Sequence, residues 1–298
     1  MEDVTDTVFR QIVASCGKPD VFFTEFTNAD GLCSKGREIV AKRLIFTKEE
    51  RPIVAQIWGN NPENYYKSAK LIRVMGFDGI DINMGCPDKT VVKRGLCSGL
   101  INNPSLAEEI ILAAREGAKG LPISVKTRIG YKNIETKWIG FLLGLKLEAI
   151  TVHARTVYEM SKVPAHWDEI GKVVKLRNSM KAKTLIIGNG DVKSIDEAQQ
   201  KYKQYKVDGI MIGRGIFNNL WVFNRNINPK NIPYKEKLQL LIKHIELFDK
   251  TWGKTKNFAI MKKFYKIYIS DVPDASDFRS KLMEFKTAHK TLRFLRST

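Results

Sequence analysis

Seven short apolar runs recur over about 220 residues of this 298-residue chain, at 21–25, 53–57, 79–84, 123–127, 149–153, 184–189 and 209–213. Helical patterns lie between them, roughly at 134–145, 167–176 and 194–202, the last opened by a Ser194/Glu197 capping box. A second capping box, Ser105 with Glu108, opens a helix that Gly117 is expected to close. Strands alternating with helices at this spacing demand a parallel α/β fold. Gln56, Asn83, Lys126 and His153 stand at the ends of four successive strands. A doubly wound open sheet gathers its site at one switch point, whereas an eight-stranded barrel gathers it along the C-terminal ends of all its strands. The expected architecture is therefore a (β/α)8 TIM barrel, of which seven strands are legible.

The pattern changes near Ile232. Leu238, Leu241, Ile242, Ile245, Phe248 and Trp252 mark one amphipathic helix, and Phe258, Met261, Tyr265 and Tyr268 a second. A third is marked by Phe278, Leu282, Phe285, Leu292 and Leu295. The expected division is a barrel at 1–231 and an all-helical domain at 232–298. Residues 235–298 hold 15 Lys/Arg against 7 Asp/Glu, a net +8, while the preceding 234 hold 35 against 25. Per residue the tail is about three times as basic. A formal charge of +18 points to a polyanionic partner, nucleic acid first. No apolar run approaches the roughly 20 residues of a membrane helix, and no signal peptide is visible. A cytoplasmic monomer is expected. Cys16, Cys33, Cys86 and Cys97 include no CxxC pair, so no metal site and no disulfide is expected.

The stretch 79–100 carries the most chemistry. Ile80 and Ile82 alternate with Asp81 and Asn83, then Gly85-Cys86-Pro87 breaks the strand and leaves one thiol on a turn. With an ordinary thiol pKa, Cys86 is protonated at pH 7 and can donate a proton as well as attack. Cys16 is expected to be structural. Lys89, Lys93 and Arg94 make the loop basic, and Arg155 and Lys162 stand among aromatics in 153–167, which suits a stacked, phosphate-bearing substrate. Gly188-Asn189-Gly190-Asp191 and Gly213-Arg214-Gly215 follow the last two strands, the frequent phosphate site of barrels. Gln56, Asn83, Lys126 and His153 could line a pocket for a flat polar cofactor, with the lysine stabilising negative charge that develops on reduction.

At NMGCPDKTVVKRG, VKTRIG, HARTVYEMSKVPAHW, GNGD and GRG the chain resembles the flavin-dependent tRNA-dihydrouridine synthases. The motifs come in family order and the likeness runs from Met1 into the tail. The resemblance implies a (β/α)8 barrel that holds FMN, NAD(P)H as reductant, and a helical domain gripping tRNA. It implies hydride delivery to carbon 6 of a target uracil and a proton from Cys86 to carbon 5. It assigns Gln56, Asn83, Lys126 and His153 to the flavin, and Asn189, Gly190, Asp191, Gly213 and Arg214 to the phosphate end. Lys89, Lys93, Arg94, Arg155 and Lys162 are then expected on the RNA. Met1 stands where family members have the Met that ends a first strand, so that strand is expected to be missing. Leu96-Cys97 replaces residues that are usually small. The alternatives are a dihydroorotate-dehydrogenase-like FMN barrel acting on a small pyrimidine, and a catalytically impaired tRNA-binding homologue.

Overall fold

The computed structural model describes residues 4–270 and 273–297. The segment at Met1, where the missing strand was expected to end, lies outside them. The strands are β1 (Phe22–Phe23), β2 (Thr27–Asn28), β3 (Ile53–Trp58), β4 (Gly79–Met84), β5 (Ile123–Arg128), β6 (Ala149–His153), β7 (Leu185–Asn189) and β8 (Gly209–Met211). Every pair is parallel; β1 and β2 both lie on β3, and pairing then runs in order to β8. Among the described residues β8 has no partner on its other side. The result is a curled TIM-barrel wall, open between β8 and β1.

Around it lie α1 (Thr7–Cys16), α2 (Ala29–Leu32), α3 (Arg37–Ala41), α4 (Pro62–Val74), α5 (Lys89–Lys93), α6 (Pro104–Ala118), α7 (Thr136–Gly144), α8 (Trp167–Ser179) and α9 (Ile195–Tyr205). The period-2 alternation sorts each strand. Ile80 and Ile82 are fully buried in the apolar core, where each such side chain contributes about 1.5–3 kcal/mol. Asp81 and Asn83 take the opposite face, inside the barrel.

The run expected as a strand at 21–25 holds only β1, and after a bulge a further short strand, β2, lies beyond it where no strand was expected. Thr24 Oγ1 accepts the Gln56 N–H at 3.0 Å and itself donates to Glu25 O. A side chain thus replaces a carbonyl in the ladder, and pairing resumes only at Thr27. At α6 the expected cap is also corrected. Asn103 caps the helix, its Oδ1 accepting from Leu106 N, and Pro104 occupies the first turn. Lys119 in the left-handed region ends it, not Gly117. Gly117 serves close packing, because a Cβ there would sit 2.2 Å from the Tyr66 carbonyl on α4. Ser194 does cap α9, while Glu197 accepts from Lys193 N instead of from the cap itself.

The tail forms α10 (Tyr234–Trp252), a 3-10 turn (Phe258–Phe264) running into α11 (Tyr265–Tyr268), then α12 (Ala275–Glu284) and α13 (Ala288–Arg296). The expected third helix is two, because Phe285 is extended and Thr287 starts a new cap. These helices share a core with α1. The Phe9 ring stacks on Phe264 at 5.1 Å and lies 6.0 Å from Phe217, and Lys256 pairs with Asp6 at 2.8 Å.

Candidate active site

The strand register sets out the site as a staircase. Gln56 stands beside Asp81 on the next strand and Asp81 beside Ser124. One step up, Asn83 stands beside Lys126; at the rim, Arg128, His153 and Asn189 are neighbours. Lys126 Nζ donates to Asn189 Oδ1 at 3.2 Å, while Asn189 Nδ2 donates to Met211 O. The expected strand-end residues therefore do meet.

A directed hydrogen-bond chain joins them to the cysteine loop. Gly85 N and Cys86 N both donate to Asn83 Oδ1, at 3.0 and 3.1 Å. Asn83 Nδ2 must then face Gln56 Oε1, and Gln56 Nε2 donates to Asp81 Oδ2 at 2.6 Å. Ser124 Oγ donates to the other Asp81 oxygen at 2.6 Å. Donors that cannot turn round stand at one end and a carboxylate at the other, so both amides have one orientation. Ser98 Oγ holds Cys86 O at 2.7 Å. Arg128 donates to Gly85 O, Thr156 O and Met160 O, so one guanidinium ties the cysteine loop to the loop after β6.

The expectation of an ordinary thiol at Cys86 is corrected. A hydrogen bond from Cys97, the Asp88 N–H and the charge of Arg128 bring it down to about 6, against burial and Asp88's own charge. Cys97 is buried with φ +50°, a backbone that non-glycine residues rarely adopt. Burial lowers Lys126 to about 8, with Arg128 acting in the same sense. Burial, then Lys126, Arg128, Arg155 and Arg214, push His153 down to about 2, so its ring is neutral. Burial raises Asp81 to about 6.

Arg155, expected on the RNA, is 3% exposed; it pairs with Asp191 and donates to Val163 O at 2.6 Å. Among the described residues, Arg155 Nη1 and His153 Nδ1 are buried without a hydrogen-bond partner. Gly190 closes the cradle at φ +138°, where a Cβ would meet the Ala165 methyl at 2.9 Å. Arg214 beside Gly213 is exposed, and its charge acts on His153, Arg128 and Asp191. An unsatisfied guanidinium nitrogen and a neutral imidazole within a ring of cations fit a phosphate-bearing group. Lys89 and Lys93 on α5, Arg94 at its end and Lys162 on the loop after β6 are exposed. Sequence reading missed Asp81, Arg128 and Cys97 as members of the site. The first two carry a signal in hindsight, since each lies two residues from a recognised residue on the same strand face.

Fold and site together define a parallel α/β barrel with its chemistry above the strand ends. The dihydrouridine synthase family model matches residues 1–298, and the chain belongs to that family. A probable tRNA-dihydrouridine synthase 2 of Bacillus subtilis (strain 168) is 44% identical over 291 residues, covering 96% of this chain and 88% of that one. A probable tRNA-dihydrouridine synthase of Staphylococcus aureus (strain COL) is 43% identical over 287 residues, covering 95% and 86%. Among solved structures, an old yellow enzyme homologue from Zymomonas mobilis matches with TM-score 0.50 and 12% identity over 74% of this chain and 82% of that one. A 2-naphthoyl-CoA reductase complex matches with TM-score 0.59 and 8% identity over 75% and 47%. At such identities the likeness is one of fold.

Proposed function

We propose that this chain is a tRNA-dihydrouridine synthase that reduces the 5,6 double bond of particular uridines, using FMN with NAD(P)H as reductant. The observation that carries this reading is the Cys86 loop, held by a directed polar chain beside a cradle in which one nitrogen of the neutral His153 ring and one of Arg155 are left without hydrogen-bond partners among the described residues. FMN, when bound, supplies the hydride for carbon 6. His153, Arg155, Arg214 and the Gly190 and Gly213 turns would hold its phosphate, and Gln56, Asn83 and Lys126 would face its ring. Cys86 Sγ gives the proton to carbon 5. A uracil that covers the sulfur removes water from it and favours the thiol over the thiolate. The target base lies within folded RNA and must be flipped out to reach this depth. Lys89, Lys93, Arg94 and Lys162, with the helices of 232–298, would take the phosphates of that RNA.

Purified protein should be yellow, bind tRNA with strong salt dependence, and form dihydrouridine in it when given NAD(P)H. Reduction of free orotate but not of tRNA would replace this reading with the small-pyrimidine one. A colourless protein that binds tRNA but reduces nothing would favour the impaired homologue.

The proton donor must be a thiol, so kcat/KM should be level below about pH 6 and fall above it. Cys97→Gly suits the backbone at φ +50° and removes the strongest influence that lowers Cys86. Its falling limb should move to higher pH. A limb still centred near 6 would show that Cys97 does not set the proton affinity of Cys86.

A further inference from the structure

The loops after β5 and β6 extend past the strand ends as a joined pair. Val157 N donates to Gly130 O at 3.0 Å and Tyr158 N to Tyr131 O at 3.2 Å. This pairing brings the Tyr131 and Tyr158 rings edge to face, 5.8 Å apart at 64°. Lys132 Nζ lies 5.6 Å from the Tyr158 ring centre. Tyr131 is half-buried, but Tyr158 is 61% exposed. The loop that carries Tyr158 is tied to the cysteine loop through Arg128. Tyr158 sits between Thr156 and Met160, whose carbonyls accept from the same guanidinium that holds Gly85, the residue before Cys86. Neither tyrosine has a part in the polar chain or the phosphate cradle.

We propose that Tyr131, Lys132 and Tyr158 form a stacking platform for the RNA base next to the target uridine. This rests on the RNA-modifying reading above. Flipping one base out leaves its neighbour without a stacking partner, and an aromatic ring offers a sequence-tolerant replacement. The T-shaped contact fixes the pair and leaves Tyr158 largely open to solvent. Lys132 adds a positive charge matched to the phosphate of the same nucleotide. An acidic or apolar protein partner would not need two rings held on loops tied to the catalytic one.

The test is a double-mutant cycle on the flavin-loaded protein. An RNA hairpin carries the target uridine with its neighbouring nucleotide either intact or abasic. With intact RNA, Tyr158→Ala should weaken binding about 5- to 150-fold, the range of one base–aromatic stack, and Tyr158→Phe should bind like the wild type. Removing the neighbouring base should cost the wild type a similar factor and cost Tyr158→Ala little. Flavin reduction by NAD(P)H, which involves no RNA, should be unchanged in both variants. Equal losses on the abasic RNA for wild type and Tyr158→Ala would overturn the platform, as would wild-type binding by Tyr158→Ala. A Tyr158→Phe loss as large as that of Ala would also overturn it, since the hydroxyl and not the ring would then be the contact. If the wild type itself neither binds nor reduces the intact hairpin, the RNA-modifying reading fails and the platform with it.

Discussion

Cys86→Ala is expected to lower dihydrouridine formation by about 10²- to 10⁴-fold, the usual worth of a positioned general acid, while NAD(P)H still reduces the bound flavin at the wild-type rate. The contrast is clean because the bonds to the loop's backbone do not use the sulfur, whose own partners are Cys97 and the Asp88 N–H. Asn83 takes backbone N–H groups of Gly85 and Cys86, and Ser98 and Arg128 donate to backbone carbonyls. An alanine there keeps those backbone bonds and removes the proton, together with the sulfur's contacts to Cys97 and the Asp88 N–H. The loss should be greatest at and below about pH 6, where the wild-type sulfur is a thiol before substrate arrives. Single-turnover formation of dihydrouridine, read beside the absorbance change on flavin reduction, separates the two steps. Undiminished tRNA reduction by the variant would take the proton-donor role away from Cys86.

Glu50→Ala should destabilise the fold by about 3–5 kcal/mol, the cost of leaving a buried charge without its partner. Arg10 and Glu50 are 2% and 0% exposed and form an ion pair. Glu50 also accepts from Thr7 Oγ1 at 2.6 Å and from Thr47 N at 2.7 Å. Arg10 spends its remaining donors on the Thr5 and Ile45 carbonyls. The substitution removes the acceptor of several donors at once and strands the guanidinium. Against a total of about 5–15 kcal/mol for ordinary domains, this is a large fraction, visible as a lower urea midpoint. Glu50→Gln keeps an acceptor and should lose less. A midpoint shift worth under about 1 kcal/mol for Glu50→Ala would contradict the pairing as described.

Much of this was legible before any coordinates. From Ile53 on, the strand runs match the observed strands to within about two residues, because apolar alternation bounded by glycine is a local signal. The strand-end residues were recognisable for the same reason: a polar side chain that closes an apolar run points to the mouth of a parallel barrel. Less local features were misread. Ser105 and Glu108 match a cap in spacing, yet Asn103-Pro104 starts the helix earlier, since proline is already set for its first turn. Gly117 looks like a helix stop but answers to the Tyr66 carbonyl on a neighbouring helix. Arg155 reads as a surface cation in a basic loop, and only the fold buries it against Asp191.

The amino-acid order by itself determined the repeating strand–helix rhythm, the cysteine on a Gly-Pro turn, the two glycine turns and the basic tail, all properties of a residue and its near neighbours. Tertiary structure alone decided which groups touch: Arg128 with Gly85 across 43 positions, Lys126 with Asn189 across 63, Cys97 with Cys86. It alone decided the proton affinities as well. These depend on how much water is excluded and which charges face one another, and neither quantity exists until distant segments have packed.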